Sequence, residues 1–296
     1  MPSKRPSTRG RVAFVLGGGG QLGAYEVGML RAVLERGIIP DLVVGTSVGA
    51  LNGAAVAAEP TIAMIERLEA AWLRLGKTGV FASPFGAAGT LIRGWTHLHS
   101  SEPLAGLIRE LIGASVFEEL EVPFQCVAAC VERAAEHWFS SGPLVEAILA
   151  SAAIPGALPV VEVGGEHFID GGIVNSIPIE RAVELGATEI YVLHVGRVER
   201  PLQPPRNLLQ VATVAFEIAR RHRFAHDLGA LPPGVVAHVL PTGDEEEARS
   251  EMLSQLRYRD FSRVPTRIQR AHRATARYLA GVAGGAGRPA PTRSPP

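Results

Sequence analysis

The chain has 296 residues, 47% hydrophobic and 20% charged, which is enough apolar sequence to bury a large core. Lysine plus arginine equals aspartate plus glutamate at 29 each, so the charge gives no indication of a nucleic-acid partner. No run of about 18 apolar residues is present, and the apolar stretch after the N-terminal basic cluster is too short for a secretory leader. We therefore expect a globular cytoplasmic protein that touches membranes only peripherally.

The order of predicted elements indicates an α/β fold. A strand at 12–16, a glycine loop, a helix at 23–36 and a strand at 42–45 precede helices at 48–57 and 61–75. Such alternation predicts a mostly parallel sheet with helices on its faces. Later predicted elements are a helix from Ser100 to about 112, strands at 123–131 and 137–140, a helix from Pro143, a hairpin at 160–170, a helix at 178–186, a strand at 190–195, a helix at 206–228, a strand at 235–240 and a helix from about 265. We expect one domain over residues 11–280 between disordered ends at 1–10 and 281–296.

The chemistry is expected to centre on Ser47, which joins the second predicted strand to a helix. In Gly45-Thr46-Ser47-Val48-Gly49 the two glycines remove side chains on either side of a sharp strand-to-helix turn. That turn lets the serine take a strained backbone conformation with its hydroxyl exposed. The amide groups at the start of the following helix would lie beside any negative charge that forms there. The alternative is an ordinary turn with a serine cap.

A glycine loop follows the first strand and contains Gly18-x-Gly20-x-x-Gly23. This spacing also occurs in dinucleotide-binding loops, which need an acidic residue at the carboxyl end of the second strand. Here Asp41 precedes that strand, so we expect no cofactor. Instead, the N–H groups of Gly18, Gly19 and Gly20 are predicted to form an oxyanion hole next to Ser47.

Asp170 is the preferred base for the serine. It ends a predicted strand and is followed by Gly171 and Gly172, which let two backbone segments approach closely. A Ser-Asp-His triad of the α/β-hydrolase kind fits less well, because the serine comes too early and no histidine lies in a late strand-end loop; His194, for example, falls inside a predicted buried strand. His222 and His226 have a spacing that suits a metal, but we interpret them as part of a solvated basic helix and expect no metal.

Three motifs together resemble those of patatin-like phospholipases. They are Gly-Gly-Gly-Gly-Gln-Leu-Gly-Ala-Tyr at 17–25, Gly-Thr-Ser-Val-Gly at 45–49 and Asp-Gly-Gly at 170–172, with similar flanking stretches at 151–159 and 175–178. The resemblance implies a three-layer α/β/α sandwich with a mostly parallel central sheet. It also implies a Ser47–Asp170 dyad that hydrolyses acyl esters of lipids without a metal or other cofactor, supported by Gly23, Gly45, Gly49, Gly171 and Gly172. Where the family usually carries arginine or lysine, this chain has Leu22.

Two functions from different classes follow from this resemblance. The first is a serine hydrolase that cleaves lipid acyl esters, and the second is a catalytically weak lipid-binding protein on the same scaffold. The segment 76–100 is a candidate lining for the acyl chain, or else an irregular piece of core. Arg267, Arg270, Arg273 and Arg277 are predicted to form one exposed helical stripe, which is either a solvated face or a contact for anionic lipid headgroups.

Overall fold

The computed structural model describes residues 10–78, 99–195, 201–243 and 263–283. These contain an eight-stranded sheet flanked by helices. The strands are β1 (Val12–Leu16), β2 (Leu42–Thr46), β3 (Phe124–Cys130), β4 (Ala135–Phe139), β5 (Val161–Val163), β6 (Glu166–Asp170), β7 (Glu189–Leu193) and β8 (Val236–Val239). The helices are α1 (Ala24–Glu35), α2 (Val48–Ala58), α3 (Ile62–Thr78), α4 (Glu102–Ile112), α5 (Leu144–Ser151), α6 (Ile179–Glu184), α7 (Leu208–Gly229) and α8 (Val264–Ala283).

Five parallel strands form the centre and one side of the sheet, in the order β3-β2-β1-β7-β8. Leu16 at the end of β1 lies opposite both Gly45 of β2 and Leu193 of β7. The carboxyl ends of these three neighbouring strands are therefore level. In open α/β sheets this edge is where ligands bind, so the loops that follow the three strands meet at one place.

The sheet is covered on both faces, which confirms the predicted α/β/α sandwich. Alternate side chains of β1 enter different cores, as expected for a strand buried on both sides. Phe14 and Leu16 belong to the larger core with α1, α2, α3, α4, α5 and α8. Ala13 and Val15 belong to a smaller core to which α6 and α7 contribute.

Strand β3 supports two strands end to end along one of its edges. Thr46, the last residue of β2, lies opposite Val127, and Asp170, the last residue of β6, lies opposite the next residue, Ala128. Strand β4 pairs with the other edge through Cys126 to Cys130. The ends of β2 and β6 therefore face each other, although they are far apart in sequence. Both predicted hairpins, β3–β4 and β5–β6, are confirmed.

The last described helix, α8, packs closely on α1 at Gly28. A Cβ atom on Gly28 would lie 2.1 Å from the carbonyl oxygen of Ile268, so only glycine allows this approach. The same packing corrects the predicted arginine stripe. Arg267 is 6% exposed, and its guanidinium lies over the ring of Tyr25 at 5.9 Å from the centroid. Arg270, Arg273 and Arg277 remain exposed.

Some expectations fall on other parts of the chain. Most of the segment 76–100 and both predicted disordered ends lie outside the described residues, although α3 continues to Thr78 and α8 to Ala283. Among the helices that the structure describes, none has the length and apolar character needed to cross a membrane.

Candidate active site

Ser47 occupies the predicted strained turn between β2 and α2. Its φ is 56° and its ψ is −122°, a backbone conformation that costs a non-glycine residue about 1–3 kcal/mol. The flanking glycines are required by close contacts. A Cβ on Gly45 would lie 2.4 Å from the Gly49 carbonyl oxygen, and a Cβ on Gly49 would lie 2.4 Å from that of Leu16. Strand, turn and helix can therefore pack this tightly only with glycine at both positions.

Ser151, the last residue of α5, fixes this turn to the sheet. The Ser47 N–H donates to Ser151 Oγ at 2.9 Å, and the Ser151 hydroxyl donates to the carbonyl of Val127 at 2.6 Å. Ser151 is fully buried. Its hydroxyl thus satisfies a buried amide in a strained turn and connects that turn to β3.

Asp170 lies within hydrogen-bond distance of Ser47. The Ser47 hydroxyl donates to Asp170 Oδ2 at 2.6 Å, and the Gly172 N–H donates to the other carboxylate oxygen, Oδ1, at 2.7 Å. A Cβ on Gly171 would lie 2.1 Å from the Val127 carbonyl oxygen, so a glycine is needed where this turn crosses β3. Both oxygens of the carboxylate are held, and one of them points at the serine.

Burial changes the acidity of Asp170. Its side chain is removed from water, which raises the pKa of the carboxyl from 3.8 to about 6, while the hydrogen bonds from Ser47 and Gly172 act in the opposite direction. Phe168, which is 1% exposed, contributes to this environment, whereas Ile173 is 46% exposed and does not. The carboxylate is therefore a stronger base than an exposed aspartate and is still ionised at neutral pH.

The glycine loop runs beside Ser47. Gly17 N–H donates to the Leu193 carbonyl and Gly18 N–H donates to the Ser176 carbonyl, at 2.9 and 2.8 Å. Gly18 N–H is thus engaged with the backbone after Asp170. Gly20 has a φ of 56° and lines a cavity together with Ser47. Because the Gly18 N–H is already used by the Ser176 carbonyl, the predicted oxyanion donors are reduced to Gly19 and Gly20.

An apolar cavity opens beside Ser47. Its walls come from four helices and from the loop after α5: Leu51, Trp72, Leu75, Leu104, Ile148, Ala152, Ile154, Ala157 and Leu158. The predicted lining segment contributes His99 from its described end. Most of the described wall was not predicted as such, because each of these residues also fits the apolar face of an ordinary core helix.

A buried hydrogen-bond network around Asn52 holds the end of the glycine loop. Asn52 Nδ2 donates to the Gly23 carbonyl at 3.1 Å and to Glu26 at 2.7 Å, and the Trp72 indole N–H donates to Asn52 at 3.1 Å. Glu26 is fully buried, and this burial raises the pKa of its carboxyl well above the usual value. The network therefore connects Gly23, at the end of the glycine loop, to Trp72, which lines the cavity.

Among the described histidines, His99 lines the cavity beside Ser47, whereas His167 and His194 lie in other surroundings. His167 bonds to Glu132 at 2.6 Å. The prediction that His194 lies inside a strand is wrong, because β7 ends at Leu193. Burial, followed by the charges of Arg220 and Arg221, lowers the pKa of His194 to about 3. No group of three or more metal-ligating side chains occurs in the described ranges.

These features define the class of protein: an α/β fold with a serine–carboxylate pair at the carboxyl edge of a mostly parallel sheet, between a glycine loop and an apolar cavity. The sequence model of the patatin-like phospholipase family matches residues 14–183, which include all three motifs. The chain belongs to this family.

Individual relatives share the same region. An uncharacterized NTE family protein of Mycobacterium tuberculosis is 33% identical over 180 residues, 59% of this chain and 46% of that protein. The lysophospholipase nte1 of Aspergillus terreus is 28% identical over 193 residues, 64% of this chain and 12% of that one. The chain thus spans less than half the length of these curated relatives. VipD from Legionella pneumophila, a solved structure, has a TM-score of 0.45 at 13% identity, covering 93% of this chain and 67% of that chain.

Proposed function

We propose that this protein is a serine hydrolase that cleaves acyl esters of lipids, with Ser47 as nucleophile and Asp170 as base. The observation that carries the proposal is the 2.6 Å hydrogen bond between Ser47 Oγ and a buried carboxylate of raised pKa. A serine hydroxyl is a weak nucleophile unless an adjacent base accepts its proton, and this hydrogen bond supports Asp170 in that role.

The reaction follows from these positions. Asp170 accepts the Ser47 proton while Oγ attacks the ester carbonyl, and the N–H groups of Gly19 and Gly20 stabilise the tetrahedral oxyanion. Collapse of this intermediate releases the alcohol, which takes the proton from Asp170, and leaves an acyl group on Ser47. Water, activated by Asp170 in the same way, then releases the fatty acid and restores the serine.

The substrate class is supported by the cavity and by the relatives. The apolar walls beside Ser47 suit an acyl chain, because burying methylene groups contributes about 0.8 kcal/mol each. One relative is named a lysophospholipase and another a neuropathy target esterase. A phospholipid or lysophospholipid is accordingly the proposed substrate.

Labelling and kinetics test the assignment together. We expect a fluorophosphonate probe to attach to the wild-type protein and not to Ser47→Ala. Ser47→Ala and Asp170→Asn should each reduce ester hydrolysis by roughly 10⁴-fold or more, and the double variant should lose little more, because the two residues act as one unit.

The eight histidines other than His99, which lines the proposed acyl cavity, supply the control set. Single replacements should leave hydrolysis within about tenfold of wild type, the range of modest effects on geometry. A folded histidine variant that matches the Ser47→Ala loss would show that a triad operates. Vesicle binding without labelling or turnover would instead favour the lipid-binding alternative.

A further inference from the structure

A second carboxyl group, that of Glu26, is buried beside the glycine loop and is not used by the proposed reaction. It lies in the first turn of α1, directly after the turn Gly20–Gly23 that ends the loop. Glutamate is almost never fully buried without a charged partner. Glu26 is nevertheless 0% exposed, and its Oε2 accepts a hydrogen bond from Asn52 Nδ2 at 2.7 Å. A role tied to Asn52 would explain why a polar side chain is kept at this position.

The orientation of the Asn52 amide is fixed by its other two partners. The Trp72 indole N–H can only donate, so Asn52 Oδ1 must face it, and the Gly23 carbonyl can only accept, so Nδ2 must face that side. The second hydrogen of Nδ2 then needs an acceptor, which Glu26 Oε2 supplies. Without this acceptor a buried N–H is left unpaired, and Asn52 can turn away from Gly23. Glu26 therefore holds the amide that holds the end of the glycine loop.

No positive group among the described residues is paired with Glu26. Its other oxygen, Oε1, is buried and has no hydrogen-bond partner within the described ranges. Helix α2 and the turn Gly20–Gly23 carry no ionisable side chain. Ionisable groups on the other elements packed on α1 have different contacts: Arg267 lies over Tyr25, His272 bonds to Glu35, Glu66 and Glu69 pair with Arg31, and Tyr191 bonds to Glu189. A carboxylate removed from water with one hydrogen bond and no cation is strongly disfavoured.

We propose that Glu26 is a neutral carboxylic acid in the active protein and a positioning residue that holds, through Asn52, the loop carrying the oxyanion donors. Its proton lies on Oε1, because Oε2 accepts from Asn52. The positioning role rests on the proposed function. Burial supports the neutral form, since it raises the pKa of Glu26 well above the ordinary value. The hydrogen bond from Asn52 and the nearby Gly17 N–H, which donates to Leu193, lower this pKa but do not offset burial.

A matched pair of variants tests the positioning role. Glu26→Gln and Glu26→Met are both uncharged and of similar length, but only glutamine offers Asn52 an oxygen acceptor. With p-nitrophenyl butyrate as substrate, we expect Glu26→Gln to keep a kcat close to that of the wild type. Glu26→Met should lose about tenfold or more in kcat with little change in KM, because displaced oxyanion donors affect the transition state and not substrate binding.

The opposite kinetic results would each overturn one half of the proposal. A folded Glu26→Met protein with wild-type kcat would show that Glu26 does not position the loop. A loss in Glu26→Gln equal to that in Glu26→Met would show that the negative charge is required. Glu26→Leu is a second variant without an acceptor, and it replaces Glu26→Met if that protein does not fold.

Thermal unfolding tests the protonation state without using activity. Above the ordinary pKa of 4.5 the unfolded chain loses the Glu26 proton while the folded protein keeps it, so the wild type loses stability as pH rises. Glutamine cannot ionise, and all other groups titrate alike in both proteins. The Tm of Glu26→Gln minus that of the wild type should therefore grow by about 2 °C or more between pH 4.5 and pH 8. A constant difference would overturn the neutral acid.

The two measurements fail separately. If the wild type neither cleaves the ester nor reacts with the fluorophosphonate probe, the proposed function fails and the positioning role fails with it. The unfolding comparison still decides whether Glu26 is neutral. If the wild type is active and the Tm difference stays constant, the hydrolase assignment stands and the neutral acid is wrong.

Discussion

The charge state of Asp170 decides whether Ser47 can lose its proton. Burial raises the pKa of this carboxyl to about 6, so the group is protonated below that pH and ionised above it. Only the ionised form can accept the serine proton. The usual conflict between burying a charge and using it is partly relieved by the two hydrogen bonds from Ser47 and Gly172.

We therefore expect kcat/KM for an uncharged ester to rise with pH and to level off above about 6. Below this value it should fall by about tenfold per pH unit, as for a single essential base. The measurement is a pH–rate profile with circular dichroism at each pH to verify folding. A profile that stays level down to pH 4, the range of an unperturbed aspartate, would contradict the assignment of Asp170 as a desolvated base.

A site residue could be predicted from the sequence when its role depends on the residues next to it in the chain. Ser47 and Asp170 are each marked by adjacent glycines, because the turns themselves need glycine. Ser151 carries no such mark, because it ends an ordinary apolar helix. Its role arises only when α5 packs beside the site, and a contact of this kind leaves no pattern in the neighbouring sequence.

Arg267 shows the same limit for a helix face. The helical period places it with Arg270 and Arg273, which predicts exposure. In the structure it lies at the border of the interface, where its guanidinium reaches over Tyr25 of α1. A long amphipathic side chain can cover apolar surface in this way, so its charge is a poor guide to its burial.

At the scale of elements, the glycine loop after β1 has little room for side chains. A Cβ on Gly19 would lie 1.9 Å from Cγ2 of Val195, so any larger residue must move the loop or the valine. The loop is proposed to carry the oxyanion donors, and its shape is therefore tied to the segment after β7.

We expect Gly19→Val to lower kcat by about 10²–10³-fold, the loss typical of one misplaced oxyanion donor, while the fold is retained. Gly106→Ala in α4 is the matched control, since a Cβ there meets nothing within 4 Å and should leave activity unchanged. Combining Gly19→Ala with Val195→Ala should restore part of the activity lost by Gly19→Ala.

Near-normal turnover in a folded Gly19→Val protein would show that Gly19 is not an oxyanion donor. It would also reopen the interpretation of this loop as a cofactor-binding loop, which calorimetry with nucleotides can test.

At the scale of the whole molecule, the net charge is balanced, but arginines are concentrated on α8. With Arg267 buried against α1, the exposed set is Arg270, Arg273 and Arg277. We propose that this reduced set makes peripheral contact with anionic lipid headgroups, each cation near such a surface contributing about 1 kcal/mol.

Sedimentation with phosphatidylglycerol vesicles tests this contact. We expect binding at low salt that weakens as salt rises, because charges are screened beyond about 8 Å at physiological ionic strength. Replacing the three exposed arginines with glutamine should reduce binding. The control replaces Arg67, Arg74 and Arg109, which are exposed elsewhere on the surface and give the same change in net charge. Equal binding by the two triple variants would show that α8 presents only a solvated face.

Because β2 and β6 lie end to end along β3, the recovery of ester cleavage during refolding reports on the pairing of β6 with β3. Ser47 and Asp170 are 123 positions apart and meet only if β6 pairs with β3 in one register, because a slip of one residue would turn Asp170 to the opposite face. Such distant pairing forms slowly compared with local helices. During refolding, the delay between the return of helical circular dichroism and the return of ester cleavage therefore measures how long the β5–β6 hairpin takes to dock.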